Sequence, residues 1–173
     1  MENIAEKMLE RISSYNLFNN LLPGAVYCFL LNKLLSINFC SGNIVEDLFI
    51  YYFAGMVISR IGSVIVEPIC KKINFVKFAE YGEFLKASKK DDKIDILSEI
   101  NNTYRTMLSL TLVLLVTKLY IFISSKCEPL EAWTPFVIII VLFLLFAFSY
   151  RKQTSYVRKR VIKINEKDKE ESC

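Results

Sequence analysis

No histidine occurs in the 173 residues, which removes imidazole general bases, imidazole metal ligands and every nucleophile that a histidine would activate. Much hydrolase chemistry goes with it. The five cysteines, Cys28, Cys40, Cys70, Cys127 and Cys173, show no CxxC spacing, so neither a zinc site nor a thioredoxin-like dithiol is indicated. The closing "EESC" is no prenylation box. Paired acidic metal motifs are absent, as is a serine with a positioned base, so the sequence points to no catalytic residue, metal or cofactor. A small-x-small cleavage site is also missing after the first apolar run, and the start "MENIAEKMLERI" is charged and amphipathic. The expectation is that no signal peptide is removed.

What is there is hydrocarbon. Hydrophobic residues make up 53% of the chain, aromatic ones 13%, and the mean hydropathy is +0.34, values that soluble domains rarely reach. A bilayer core of roughly 30 Å asks roughly 20 apolar residues of a helix. Four segments approach that, at about 18–38, 48–69, 106–124 and 135–150. The fourth, "PFVIIIVLFLLFAFSY", holds no charge; the third, "MLSLTLVLLVTKLYIFIS", holds only Lys118; the second holds Arg60 and Glu67.

The net charge of +4 matters less than its clustering. Residues 40–47, "CSGNIVED", carry no cation and residues 125–134 carry only Lys126, whereas residues 70–104 and the tail after Tyr150 are rich in lysine and arginine. Positively charged loops resist translocation, so both termini and the middle loop are expected on the cytoplasmic side of the membrane. Four spans are the even number this requires. The organisation follows: an amphipathic interfacial helix at 1–17, a membrane hairpin at 18–69, a cytoplasmic helical hairpin at 70–104, a second membrane hairpin at 105–150 and a basic tail at 151–173. Asp91 or Asp92 is expected to cap the second cytoplasmic helix, with Phe78, Phe84, Leu85, Leu97 and Ile100 as the hairpin's core. The fold class is all-α and polytopic.

Polar residues inside apolar runs are the candidates for function. In "SYNLFNNLLPG", Asn16, Asn19 and Asn20 precede Pro23 and Gly24. The asparagines suit the headgroup level, or a packing role in which Pro23 leaves the Asn19 carbonyl free and the amides bond a neighbouring helix across a hinge. Arg60 lies near the middle of the second run, where a cation costs roughly 2.5 to 3.5 kcal/mol on insertion scales. It either bonds backbone and amides to fix the bundle, or lines a polar cavity. Ser63 and Glu67 share its face at helical spacing, and Gly55, Ser59 and Gly62 offer a groove for self-association. Lys33 and Lys118 can snorkel outward. In "ILSEINNTYRTM", Glu99, Asn102 and Arg105 recur every three residues at the level of Glu67, giving a polar layer that serves as a clamp or as the element a cytoplasmic partner presses on. Cys40 and Cys127 both fall in outer loops, where a disulfide could form. The basic tail suits anionic lipid; direct nucleic-acid binding is not indicated, because Tyr156 alone accompanies the cations.

The arrangement of "SYNLFNNLLPG", "SRIGSVIVEP" and "NNTYRTM" around two hydrophobic hairpins resembles the small four-span bacterial membrane proteins of anti-phage defence systems, of the Kiwa membrane-subunit kind. That resemblance implies a homo-oligomeric membrane component working with a cytoplasmic partner that acts on nucleic acid. The expected function is then a non-enzymatic sensor, scaffold or effector subunit. The alternative is a small homo-oligomeric pore with Arg60 in its wall.

Overall fold

The computed structural model describes the backbone of residues 2–126 and 128–171 and the side chains of residues 19–126 and 133–165. Their regular structure is helical, with no strand among them: α1 (Glu2–Leu35), α2 (Ile44–Ile61), a π-helical turn (Gly62–Val66), α3 (Glu67–Lys72), α4 (Tyr81–Ser88), α5 (Lys93–Ser124) and α6 (Glu128–Glu171). Among the described residues, three helical stretches are long and apolar enough to cross a bilayer: Ile44–Lys72, Lys93–Ser124 and Trp133–Asn165. Their outward faces carry Phe49, Leu115, Leu119, Ile139 and Phe143 in the open, as lipid-facing helices do.

α1 runs unbroken through Pro23, where the sequence suggested a hinge after an interfacial helix. Pro23 and Gly24 are instead buried. Proline is tolerated inside such a helix when a neighbour packs against the freed backbone, and α2 does so. A Cβ on Gly24 would stand 1.7 Å from the Tyr51 carbonyl oxygen, and one on Gly55 would stand 1.7 Å from that of Asn20. Each oxygen therefore lies along a glycine Cα–H bond, a reciprocal pair of weak contacts that brings two backbones together. Leu31, Ile58, Thr106, Pro23 and Ser109 are almost fully enclosed and mark where α1, α2 and α5 meet. The glycine face of α2 that the sequence offered for self-association is thus taken up inside the chain.

The turn into α2 is made by local polar groups. Gly42, at φ +84°, allows the reversal. Asn43 then caps the helix by accepting from the Val45 N–H, while Glu46 and Asp47 put negative charge on its first turn. Asp47 also accepts from the Ser41 N–H at 2.8 Å.

The helical hairpin expected at 70–104 does not close around a core of its own. Its second helix is the start of the long α5, and of the two aspartates expected to cap it Asp91 makes the bond, its Oδ1 accepting from the Lys93 N–H at 3.0 Å. Phe78, Leu97 and Ile100 are exposed and Phe84 and Leu85 only half-buried, so they form no core. Eight residues in α4 are too few to cover the first turns of α5. α4 packs on α5 and also touches the basic part of α6, through the Tyr81 and Tyr156 rings at 6.2 Å and through Gly82 against the Lys163 side chain.

Candidate functional site

The site begins with a proline. Pro68 has no N–H, and its ring crowds the carbonyl four residues back. Just before it the helix widens into the π turn, and the Glu67 N–H reaches back to Gly62 O rather than to Ser63 O. In the widened register the next donor to the Ser63 carbonyl would be Pro68, which has none to give. That carbonyl is satisfied from another helix: Lys152 Nζ donates to Ser63 O at 2.6 Å and to Ser63 Oγ at 2.9 Å. The same ammonium lies 3.4 Å from Glu67 Oε1.

Glu67 is the centre. Its side chain is only 6% exposed, and its carboxylate accepts from Lys71 Nζ at 2.8 Å through Oε1 and from Arg105 Nη1 at 2.7 Å through Oε2. One anion therefore joins cations from α3, α5 and α6. Lys71 is 43% exposed, so its i,i+4 pair contributes little; Arg105 and Lys152, at 22% and 25%, are largely withdrawn from water. Such a pair is costly to assemble and costlier to break, because removing one member strands the others. Arg105 immediately precedes the apolar run of α5, and Lys152 follows that of α6 by two residues. The cluster therefore sits where hydrocarbon would give way to headgroups, at the basic end of the bundle.

Gly62 makes the approach of α5 feasible. A Cβ there would come within 2.7 Å of Ser109 Oγ and 3.4 Å of Arg105 Cγ. Thr106 and Ser109 are fully buried on the facing side, with Thr106 Oγ1 returned to the Asn102 carbonyl at 2.9 Å. Nearer the opposite end, Tyr27 and Thr117 share a hydrogen bond of 3.2 Å between α1 and α5, and Tyr120 bonds Thr134 between α5 and α6.

Of the residues singled out in sequence, the fold unites Ser63, Glu67 and Arg105. It leaves the others apart. Glu99 is exposed, and among the described residues its side chain has no partner and Asn102 contributes only its carbonyl. Asn19 Oδ1 is buried without a hydrogen-bond partner among the described residues, and Asn20 faces Gly55 with its backbone oxygen. The Asn16 side chain lies outside the described residues. Arg60 is exposed, with no hydrogen bond or ion pair among the described residues. The π turn explains its separation from Glu67: one extra residue in the turn swings every later side chain by about 100°. Cys40 is a free thiol whose Sγ lies 3.1 Å from the Tyr51 hydroxyl, and Cys127 lies outside the described residues. Lys71 and Lys152 went unmarked in the sequence. Lys71 was readable from its i,i+4 spacing to Glu67; Lys152, 85 positions from Glu67 along the chain, carried no such signal.

Two cavities flank the cluster. An apolar one of about 150 Å³ includes Glu67, Cys70, Phe75, Tyr104 and Arg105 in its wall. A larger recess of about 400 Å³ lies between the π turn and α6. Among the described residues no group of three or more histidine, cysteine, aspartate or glutamate side chains is arranged to hold a metal ion. No protein-family model matches the chain, and no match is found among curated proteins or solved structures.

Proposed function

We propose that this chain is a non-enzymatic, four-span subunit of a bacterial inner membrane, with both termini cytoplasmic, that couples the state of its membrane helices to a cytoplasmic partner. The observation that carries the reading is the Glu67 cluster, a single buried carboxylate gathering cations from three helices beside the segment that leaves the bilayer. Three spans are supported by their length and composition. The fourth is α1, whose residues 19–35 lie backbone to backbone along α2 at Gly24 and Gly55 and so share its depth. The cation-poor turn at 40–47 and the basic stretches at the other end support the orientation.

In this reading the cluster is a two-sided joint. Shifts of α2, α5 and α6 change the fit around Glu67, and α4, which packs on α5 and touches Tyr156 and Lys163 of α6, moves with them. Service in an anti-phage defence complex, as a homo-oligomer, is the context that the layout resemblance suggests. The pore is the weaker alternative, since Arg60 is exposed on its helix and lines neither cavity flanking the cluster.

A photo-crosslinking residue at exposed Lys86 in α4, activated in intact membranes, tests the proposal. A discrete adduct with a second protein species, weakened in Glu67→Gln at equal membrane abundance, supports coupling. Absence of any adduct, together with Arg60-dependent ion leakage from liposomes holding the purified chain, would replace it by the pore.

A further inference from the structure

The recess between the π turn and α6 is built unlike the rest of the surface. Val64 and Phe148 form its apolar end, and Arg151, Lys152, Ser155, Tyr156 and Lys159 form the remainder. The α6 residues recur at helical spacing, so they share one face of the helix in the two turns just past its apolar run. The volume of about 400 Å³ falls within the about 300–1,000 Å³ common for small-ligand sites. No carboxylate is among the lining residues.

The charges around it are not balanced. The three protons of Lys152 are committed to Ser63 O, Ser63 Oγ and Glu67, so that ammonium is a wall rather than a free donor. Glu67 in turn is already shared among three cations and has nothing left for Arg151 or Lys159. Those two are exposed and make no ion pair among the described residues. A recess with two unneutralised cations, two hydroxyls and an apolar end therefore stands where the helix leaves hydrocarbon.

We propose that this recess binds the phosphate-bearing headgroup of an anionic phospholipid, with Arg151 and Lys159 on the phosphate, Ser155 and Tyr156 as hydroxyl donors, and the first acyl carbons against Val64 and Phe148. The chemistry is that of basic pockets between membrane helices on the cytoplasmic side, which take anionic headgroups. Occupation would place a negative charge beside Lys152 and so compete with Glu67 for it. The lipid would thereby bear on the joint described above, and the proposal rests on that reading only for this consequence.

Native mass spectrometry of the purified full chain in detergent, titrated separately with phosphatidylglycerol, phosphatidylcholine and inorganic phosphate, tests the site without reference to membrane orientation. Phosphatidylglycerol should be retained and phosphatidylcholine lost at the same collision energy; phosphate binding as tightly as the lipid would overturn the apolar half of the assignment. Arg151→Gln with Lys159→Gln should weaken phosphatidylglycerol binding roughly thirtyfold, about fivefold for each cation near an anionic group. Arg158→Gln with Arg160→Gln removes the same charge from the same helix outside the recess and should change binding less than twofold. Equal losses in the two double variants would show a diffuse basic surface and sink the proposal. A failed coupling experiment with intact lipid retention would leave the site standing and remove only its link to Glu67.

Discussion

Replacing Glu67 by glutamine keeps the shape of the side chain and removes its charge. In the native cluster the carboxylate meets Arg105 at 2.7 Å and Lys152 at 3.4 Å, both about three-quarters buried. The amide retains one acceptor oxygen but turns its NH₂ toward cations that can only donate. Breaking a buried pair from one side costs about 3–5 kcal/mol. Partial exposure of both cations, and headgroups nearby for them to reach, argue for the lower end, about 3 kcal/mol. An ordinary hydrogen bond between membrane helices gives about 0.6 kcal/mol on average and about 1.7 at most in double-mutant cycles, so the two accounts are separable. The assay is reversible unfolding in mixed micelles by titration with a denaturing detergent, followed by far-UV circular dichroism, on Glu67→Gln, Arg105→Met and the double variant. The expected coupling between the two positions is about 2 kcal/mol, above the ordinary hydrogen-bond range. A loss below about 0.6 kcal/mol for Glu67→Gln, or additive effects in the double variant, would refute the claim that this carboxylate holds three helices together.

Gly55→Ala should destabilise by about 3 kcal/mol in the same assay, the upper end for overpacking, because the atom it meets is a backbone oxygen that cannot rotate aside. Gly42→Ala has open space around it and should cost only the left-handed backbone strain, about 1–2 kcal/mol. Arg60→Ala should change stability by less than about 0.5 kcal/mol, as for a surface substitution, since nothing in the described residues pairs with it. Cys40 should react with an impermeant maleimide applied to intact spheroplasts without prior reductant; labelling that appears only after reduction would contradict the free thiol.

How much of this was legible in the chain depended on the range of the interaction responsible. The apolar runs of α2, α5 and α6 are properties of contiguous residues, and an 18-residue stretch with at most two charges and high hydropathy leaves a helix little alternative to lipid or a partner. The α2 cap of Asn43 on Val45 and the pair of Glu67 with Lys71 each join residues no more than four apart, a range at which spacing can be read. For Glu99 and Asn102, spacing fixes a face of α5 but not which face meets α2, and among the described residues neither side chain bonds to Glu67. Leu97 and Ile100 failed as a core for the same reason: periodicity nominates a stripe, and only a neighbour long enough to cover it buries it.

By itself the sequence determined that these helices are oil-seeking, that cations gather at one end of them, and that imidazole chemistry is absent, since each of these is a sum over residues in order. The tertiary structure alone decided that Glu67 would meet Arg105 and Lys152 rather than share a face with Arg60. The π turn before Pro68 shifts the helical phase by one residue, and Gly62 and Gly55 let α5 and α1 approach to backbone distance. Which groups then touch is set by packing in three dimensions, where a single missing Cβ counts for more than any spacing along the chain.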